Sequence, residues 1–387
     1  MEISQSIIDE AIAWRQHLHA YPELGFNEYR TSQLVADVLS QLGMEVYTGI
    51  AETGVVGILK RGSSTRSIGL RADMDALPMK ELNTFSHCSK EHGCMHACGH
   101  DGHTAMLLGA AKHLALHGDF DGCIYFIFQP AEENMGGGKK MVEEGLFERF
   151  AIDEIYGLHN MPGKPLGDFC VNDGAMMASL DIFDITLQGK GAHAAMPEKG
   201  HDPIVAAAEL ITSIQSIVSR EISPLEAGVV SVTQIVGGDT YNIIPDAVLL
   251  KGTVRALSEN VRGTLKHQLI ERVRLISALH QMEGTIDYQE RYPATVNDAI
   301  CARKMREVIA STFGQDKVFE NVLPIMASED FSFMLNEKQG AYAWMGTDEE
   351  GLPTINLHNP HYDFNDHAIP IGIQFWVSLA EMQLAKQ

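Results

Sequence analysis

The sequence predicts an α/β protein in two parts, a larger unit of alternating helices and strands interrupted by a smaller α+β unit of ferredoxin-like order. Three observations predict it. The chain has 387 residues, beyond the ~250–300 at which a single hydrophobic core stops growing. Residues 1–178 and 293–387 read as helices alternating with short apolar strands, the pattern of an α/β sheet. Between them, 179–292 reads as βαββαβ, the ferredoxin-like order. The expected domains are therefore 1–178 with 293–387, and an inserted 179–292.

Residues 5–20 place Ile8, Ile12, Arg15 and Leu18 near helical spacing. The run Tyr21-Pro22-Glu23-Leu24-Gly25 ends that helix, and a second is expected over about 28–43. Two β-rich runs follow, 54–59 and 67–72, the second leading into Asp73-Met74-Asp75-Ala76-Leu77-Pro78. Carboxylates at the carboxyl end of a buried strand stand where an open α/β sheet places its site, although an acidic turn would read the same way. The stretch Met95 to His103 then gathers His96, Cys98, His100, Asp101 and His103 before an apolar helix expected over 103–117. Thiolate and neutral imidazole are ligands of borderline divalent metals. Gly99 and Gly102 are expected to fold the turn tightly enough for Cys98 and His100 to reach one ion.

A strand at 123–128 delivers Gln129-Pro130-Ala131-Glu132-Glu133. Two adjacent carboxylates past a buried strand suit a division of labour in which one binds metal and the other handles a proton. A further strand, 154–158, is expected to end at His159-Asn160. Three strand ends thus carry ligand-type side chains. The inserted part reads as strand 181–188, with Phe183, Ile185 and Leu187 alternating, and helix 202–220, with Asp202 as N-cap and Pro203 in its first turn. Strands 228–236 and 246–256, helix 258–280 and strand 282–290 complete it. Helix 296–313, strand 341–345, the run Leu357-His358-Asn359 and a helix over about 368–385 close the chain.

Lys and Arg number 29 against 51 Asp and Glu, a net charge of −22. That balance argues against nucleic acid, whose phosphates are met by Lys and Arg, and against anionic membrane surfaces. No apolar run approaches the ~18–20 residues of a spanning helix, and Met1 to Ser6 carries no signal-peptide pattern. Six cysteines without C-x-x-C pairs point to reduced thiols in the cytosol. Seventeen histidines are many for the length and point to chemical use.

Eight runs together carry a resemblance: His19 to Gly25, Gly69 to Pro78, Met95 to His103, Gln129 to Glu133, Gly191 to Pro197, Tyr241 to Asp246, Ala327 to Phe331, and Leu357 to Asn359. They resemble, in order and over nearly the whole chain, the hippurate hydrolase, aminoacylase and indole-acetyl-amino acid hydrolase branch of the dinuclear-metal aminoacylase–carboxypeptidase family. The resemblance implies a metallopeptidase-type catalytic domain, a central mixed sheet flanked by helices, with an inserted lid and dimerisation domain. It implies two divalent ions, Zn or Mn first and Ni or Co within range. Their ligands would be Cys98 as the bridge, His100 and His159 on one ion, and Glu133 and His358 on the other. The peptidase branch has a His at the position of Asp73 and a bridging Asp near Cys98 or His100; this chain departs from both, which places it with the amidohydrolases. Glu132 is implied as general base, Asp75 as orienter of a ligand imidazole, and His103 either in that same role or idle at the helix start. Asn242 and Arg255 would grip a substrate carboxylate. His193 would reach the neighbouring subunit's site in a homodimer and stabilise the oxyanion. The expected reaction is hydrolysis of N-acyl-amino acids. The alternatives are a dipeptidase or carboxypeptidase using the same site, and a one-metal structural or sensor protein with no role for Glu132 and Glu133.

Overall fold

The computed structural model describes residues 3–386. The chain forms two compact units, the first built from the chain up to Met176, from Val296–Leu323 and from Asp330 onward, the second from Met177–Thr295 and Pro324–Glu329.

In the first unit, helices α1 (Gln5–Ala20) and α2 (Tyr29–Gln41) precede strands β1 (Glu45–Ile50), β2 (Gly54–Arg61) and β3 (Ser67–Asp73). Helix α3 (His100–His117), strands β4 (Gly122–Gln129), β5 (Glu154–Pro165) and β6 (Phe169–Cys170), helix α4 (Ala299–Phe313), strands β7 (Val318–Phe319) and β8 (Gly340–Asp348), and helix α5 (Ala368–Gln383) follow. The eight strands make one mixed sheet in the order β1-β2-β4-β3-β5-β8-β6-β7. Its centre, β4-β3-β5-β8, is parallel. Every residue of β3 is buried, as a parallel strand covered on both faces requires. Helix α3 packs against α1 and α5; it is buried on nearly every side from His100 to Leu114, so it has no polar face to show.

The register sets the level of the strand ends. Asp73 pairs with Gln129 where β3 and β4 finish, and Arg71 pairs with Gly157, so His159 stands beside the end of β3. Two expectations change here. Strand β5 does not stop before His159, because β8 continues to pair with it through Trp344↔His159 and Met345↔Asn160. Strand β1 was not expected at all; as an exposed edge strand it carries no apolar alternation.

The second unit has an antiparallel sheet in the order Gly228–Val236, Ala247–Ala256, Leu180–Gln188, Glu283–Tyr292. With helices Pro203–Arg220 and Glu259–Leu279 packed on it around a shared core, this is the ferredoxin-like arrangement read from the sequence. The Asp202 side chain accepts from Ile204 N at 2.9 Å and Val205 N at 3.4 Å, with Pro203 at the first turn. Residues 324–329, assigned from sequence to the larger part, group with this unit, since Ala178 N donates to Ile325 O at 3.0 Å and Ala327 O at 2.9 Å.

Asp181, on the strand Leu180–Gln188, is fully buried and accepts from Arg262 Nη2 at 2.6 Å, Arg262 Nε at 3.0 Å and Tyr288 Oη at 2.7 Å. Removing one member of a buried ion pair strands the other charge. Arg262→Ala is expected to cost about 3–5 kcal/mol, read as a lower urea midpoint; an unchanged midpoint would show that Asp181 is stabilised without the guanidinium.

Candidate metal centre

The centre lies where β3, β4, β5 and the start of α3 meet. Gly99 adopts φ +93° as the N-cap of α3, and an added Cβ there would meet Asn160 Oδ1 at 2.5 Å. A left-handed residue with no side chain is therefore what lets Cys98 and His100 turn toward β5. Gly102 works differently from the expectation: it lies inside the helix, where an added Cβ would strike the Phe364 ring at 2.4 Å. It is a packing glycine.

Two overlapping groups of donor atoms result. Asp73, His100, His103 and His159 are all buried and bring their donors within 4.8 Å of one another; Cys98, Glu133 and His358 do the same. Cys98 faces both groups, with Sγ 3.5 Å from His159 Nε2. Glu132 approaches as well, its carboxylate falling within the same 4.8 Å of His100 and Glu133. The five sequence-selected ligand residues and Glu132 thus share one neighbourhood, although His358 lies far along the chain. His358 N donates to Ala97 O at 2.7 Å, and its φ of +61° aims the ring back toward Cys98.

The donor set fits divalent cations. His100 Nδ1 donates to Asp75 O at 2.9 Å and lies 3.2 Å from Asp75 Oδ1. His159 Nδ1 donates to Asn160 O at 2.7 Å. A carbonyl only accepts, so each Nδ1 carries a proton and Nε2 is the nitrogen left to face a ligand. His100 Nε2 is buried without a hydrogen-bond partner. Burial, with His103 beside it, holds His159 well below the ordinary imidazole range and hence neutral. Glu133 Oε1 lies 3.1 Å from His358 Nε2 but without hydrogen-bond alignment.

Asp75 has two contacts that matter. Besides His100, its Oδ2 accepts from Glu133 N at 2.9 Å, so one carboxylate orients both an imidazole and the turn that carries the paired glutamates. His103 is not idle: its ring nitrogens lie 2.6 Å from Asp73 Oδ1 and 2.6 Å from Asn160 Oδ1. Asp73 is gripped in turn by Arg71 at 2.8 Å, and Asn160 Nδ2 donates to Tyr362 Oη at 2.6 Å. Reading the sequence missed Arg71, Asn160 and Tyr362 as members of this network; only their places at the strand ends hinted at it.

His193, Asn242 and Arg255 belong to the second unit. His193 and Asn242 lie together on a two-residue ribbon, where His193 pairs with Ile243 and Ala194 N donates to Asn242 O at 3.0 Å. Both side chains are exposed. Arg255 stands apart on the strand Ala247–Ala256, with Nη1 donating to Ser328 Oγ at 3.3 Å.

Beneath α3 lies a charged network that periodicity cannot show. Arg15 Nε donates to Asp101 Oδ2 at 2.9 Å, and His19 lies 2.8 Å from the same oxygen and 3.2 Å from Glu81. Burial pulls the His19 imidazole down, but Asp101 and Glu81 outweigh it and raise the ring to about 9. A raised folded value means stability that is complete below the unfolded value of about 6.5 and lost as pH rises through about 9. The wild type is expected to lose on the order of 3 kcal/mol across that window relative to His19→Gln. Urea midpoints measured from pH 6 to 9.5 that stay parallel for the two proteins would refute it.

Imidazole, thiol and carboxylate donors converging at the ends of central parallel strands are the arrangement of an α/β metallohydrolase. The chain belongs to peptidase family M20/M25/M40, which it matches over residues 69–382. It is 43% identical over 366 residues to the hippurate hydrolase of Campylobacter jejuni, covering 95% of this chain and 94% of that one. It is 38% identical over 386 residues to an IAA-amino acid hydrolase (ILR1-like 5) of Arabidopsis thaliana, covering 98% and 88%. Among solved structures, a dinuclear metal binding peptidase of the M20 family from Bacillus subtilis superposes with a TM-score of 0.86 at 30% identity, covering 98% of this chain and 99% of that one.

Proposed function

We propose that the protein is a dinuclear-metal amidohydrolase that cleaves N-acyl-amino acids to a carboxylic acid and a free amino acid. The observation that carries the reading is Cys98, whose sulfur faces His159 on one side and Glu133 with His358 on the other, with Glu132 alongside. Relatives acting on hippurate and on IAA-amino acids support the substrate class. In this reading Cys98, His100, Glu133, His159 and His358 would hold the ions, Cys98 shared between a pair formed by His100 and His159 and a pair formed by Glu133 and His358. Two bound ions would supply Lewis-acid polarisation of the amide carbonyl and would lower the pKa of water to about 7. Zn or Mn suits a set of one thiol, three imidazoles and one carboxylate, and Ni or Co falls within the same range.

The chain's own groups do the rest. Glu132, set beside the ligands, accepts the proton of the attacking water and returns it to the departing amine nitrogen. Asp75 keeps His100 in its ligating tautomer. Arg255 would take the substrate carboxylate, the guanidinium fork suiting that group, and Asn242, which stands apart from it beside His193, would join it only from a partner subunit. His193 would serve the oxyanion of a partner subunit.

A homodimer through the second unit accompanies this reading. The strand Gly228–Val236 is an edge of its sheet, with Ile235 61% and Val236 50% exposed. An apolar open edge is a template for pairing with another chain. Six unpaired thiols suit a reducing cytosol. The test is a panel of N-benzoyl-, N-acetyl- and indole-acetyl-amino acids run beside free dipeptides, with metal content and sedimentation measured on the same preparation. Turnover of acylated amino acids by a dimer holding about two ions per chain is expected. Turnover of dipeptides alone would replace the substrate class.

A further inference from the structure

Glu28 is a fully buried carboxylate that finds no cation among the described residues. Burying an acid in that way is costly unless its oxygens are otherwise satisfied. Both are: Oε2 accepts from Thr53 Oγ1 at 2.6 Å, and Oε1 accepts from Ala131 N at 2.8 Å. The second bond ties the segment before α2 to a turn 103 residues away.

That turn carries Glu132. Ala131, the residue before it, is fully buried and left-handed, at φ +54° and ψ +44°. A non-glycine residue holds that conformation only where its surroundings impose it. Its carbonyl accepts from Gly137 N at 2.9 Å. Gly25 presses on it so closely that an added Cβ would lie 2.9 Å from the Ala131 Cβ. On the far side of Glu132 the next amide, Glu133 N, is held by Asp75. The backbone is therefore pinned one residue before and one residue after Glu132, by two different buried carboxylates. Asp75 also serves His100, whereas Glu28 has only Thr53 and the turn.

We propose that Glu28 is a positioning residue for Glu132: its Oε1, by fixing the Ala131 amide, sets the left-handed kink from which the Glu132 carboxylate is aimed. The proposal rests on Glu132 acting as the general base. It predicts an effect on turnover and none on substrate affinity, since displacement of a reacting group by about 1 Å can cost up to about 100-fold. What matters is the length and acceptor of the side chain, with its charge irrelevant to this role.

Three variants test it on the full-length, metal-loaded enzyme with N-benzoylglycine. Glu28→Gln keeps the length and an oxygen for the Ala131 amide, and is expected to stay within about threefold of wild-type kcat. Glu28→Asp keeps the charge but is one methylene short; Glu28→Ala removes the acceptor. Both are expected to lose about 10- to 100-fold in kcat with KM and metal content unchanged, and with faster hydrogen exchange at the Ala131 amide. An aspartate variant that folds and keeps wild-type kcat overturns the proposal, as does a glutamine variant that loses as much as the alanine one. If the shortened variants do not fold, exchange in the wild type decides, and an unprotected Ala131 amide counts against the bond. Should the wild type hydrolyse no acyl-amino acid, the proposed function fails, and the exchange measurement still reports whether Glu28 holds the turn.

Discussion

Glu132→Gln lowers kcat by about 100- to 10,000-fold, the range supplied by a positioned general acid–base, while the protein keeps its metal. The expectation follows from where Glu132 stands. Its carboxylate lies within 4.8 Å of His100 and Glu133 donors without belonging to the Cys98–Glu133–His358 group, and it is buried at 8% exposure. Glutamine matches it in shape and cannot take a proton. Metal analysis beside steady-state kinetics separates this from loss of a ligand. Near-normal turnover on every accepted substrate would remove Glu132 from the role and leave the proton to another group.

Cys98→Ala is expected to have the second large effect, on binding rather than on a proton. Because Cys98 faces both donor groups, its loss should weaken both ions, and affinity should fall by more than the roughly 10- to 100-fold typical of losing a group that merely supports a ligand. His358→Ala, by contrast, touches one group and should release one ion. Ion content by elemental analysis after gel filtration distinguishes the two. If Cys98→Ala retains two ions per chain, the sulfur does not bridge, and the two groups are held by separate donors. Chelation of the wild type should abolish activity, and re-addition of the divalent ion should restore it.

Much of this was legible in the chain because the chemistry is crowded into short runs. Cys98, His100, Glu132, Glu133 and His159 stand beside or within the apolar segments that form α3, β4 and β5, and those segments announce themselves by apolar continuity and glycine punctuation. The inserted unit was legible for a second reason: Phe183, Ile185 and Leu187 alternate, and Asp202-Pro203 marks a helix start. What stayed hidden depends on contacts between distant positions. Arg15 looks like one member of a helical stripe, yet it meets Asp101 at a separation of 86 residues. The roles of Asp73, His103 and Asn160 follow from a register that brings strand ends level. The full length of β5 is set by β8, from the other end of the chain. Residues 324–329 join the second unit through backbone bonds to Ala178, a placement no side-chain pattern encodes.

The order of strands in the large sheet bears on how the molecule is made. Strand β5 emerges from the ribosome early, but its neighbour β8 follows about 175 residues later. At about 5–20 residues per second, that leaves one side of β5 without its partner for roughly 9 to 35 seconds. The inserted unit, mostly contiguous in sequence, can complete its own core in the interval, while the larger unit waits with a hydrophobic strand flank open and the codon for His358 still untranslated. Assembly of the cation-binding constellation is thus confined to the end of synthesis, and during the delay nascent-chain chaperones have a defined surface to shield.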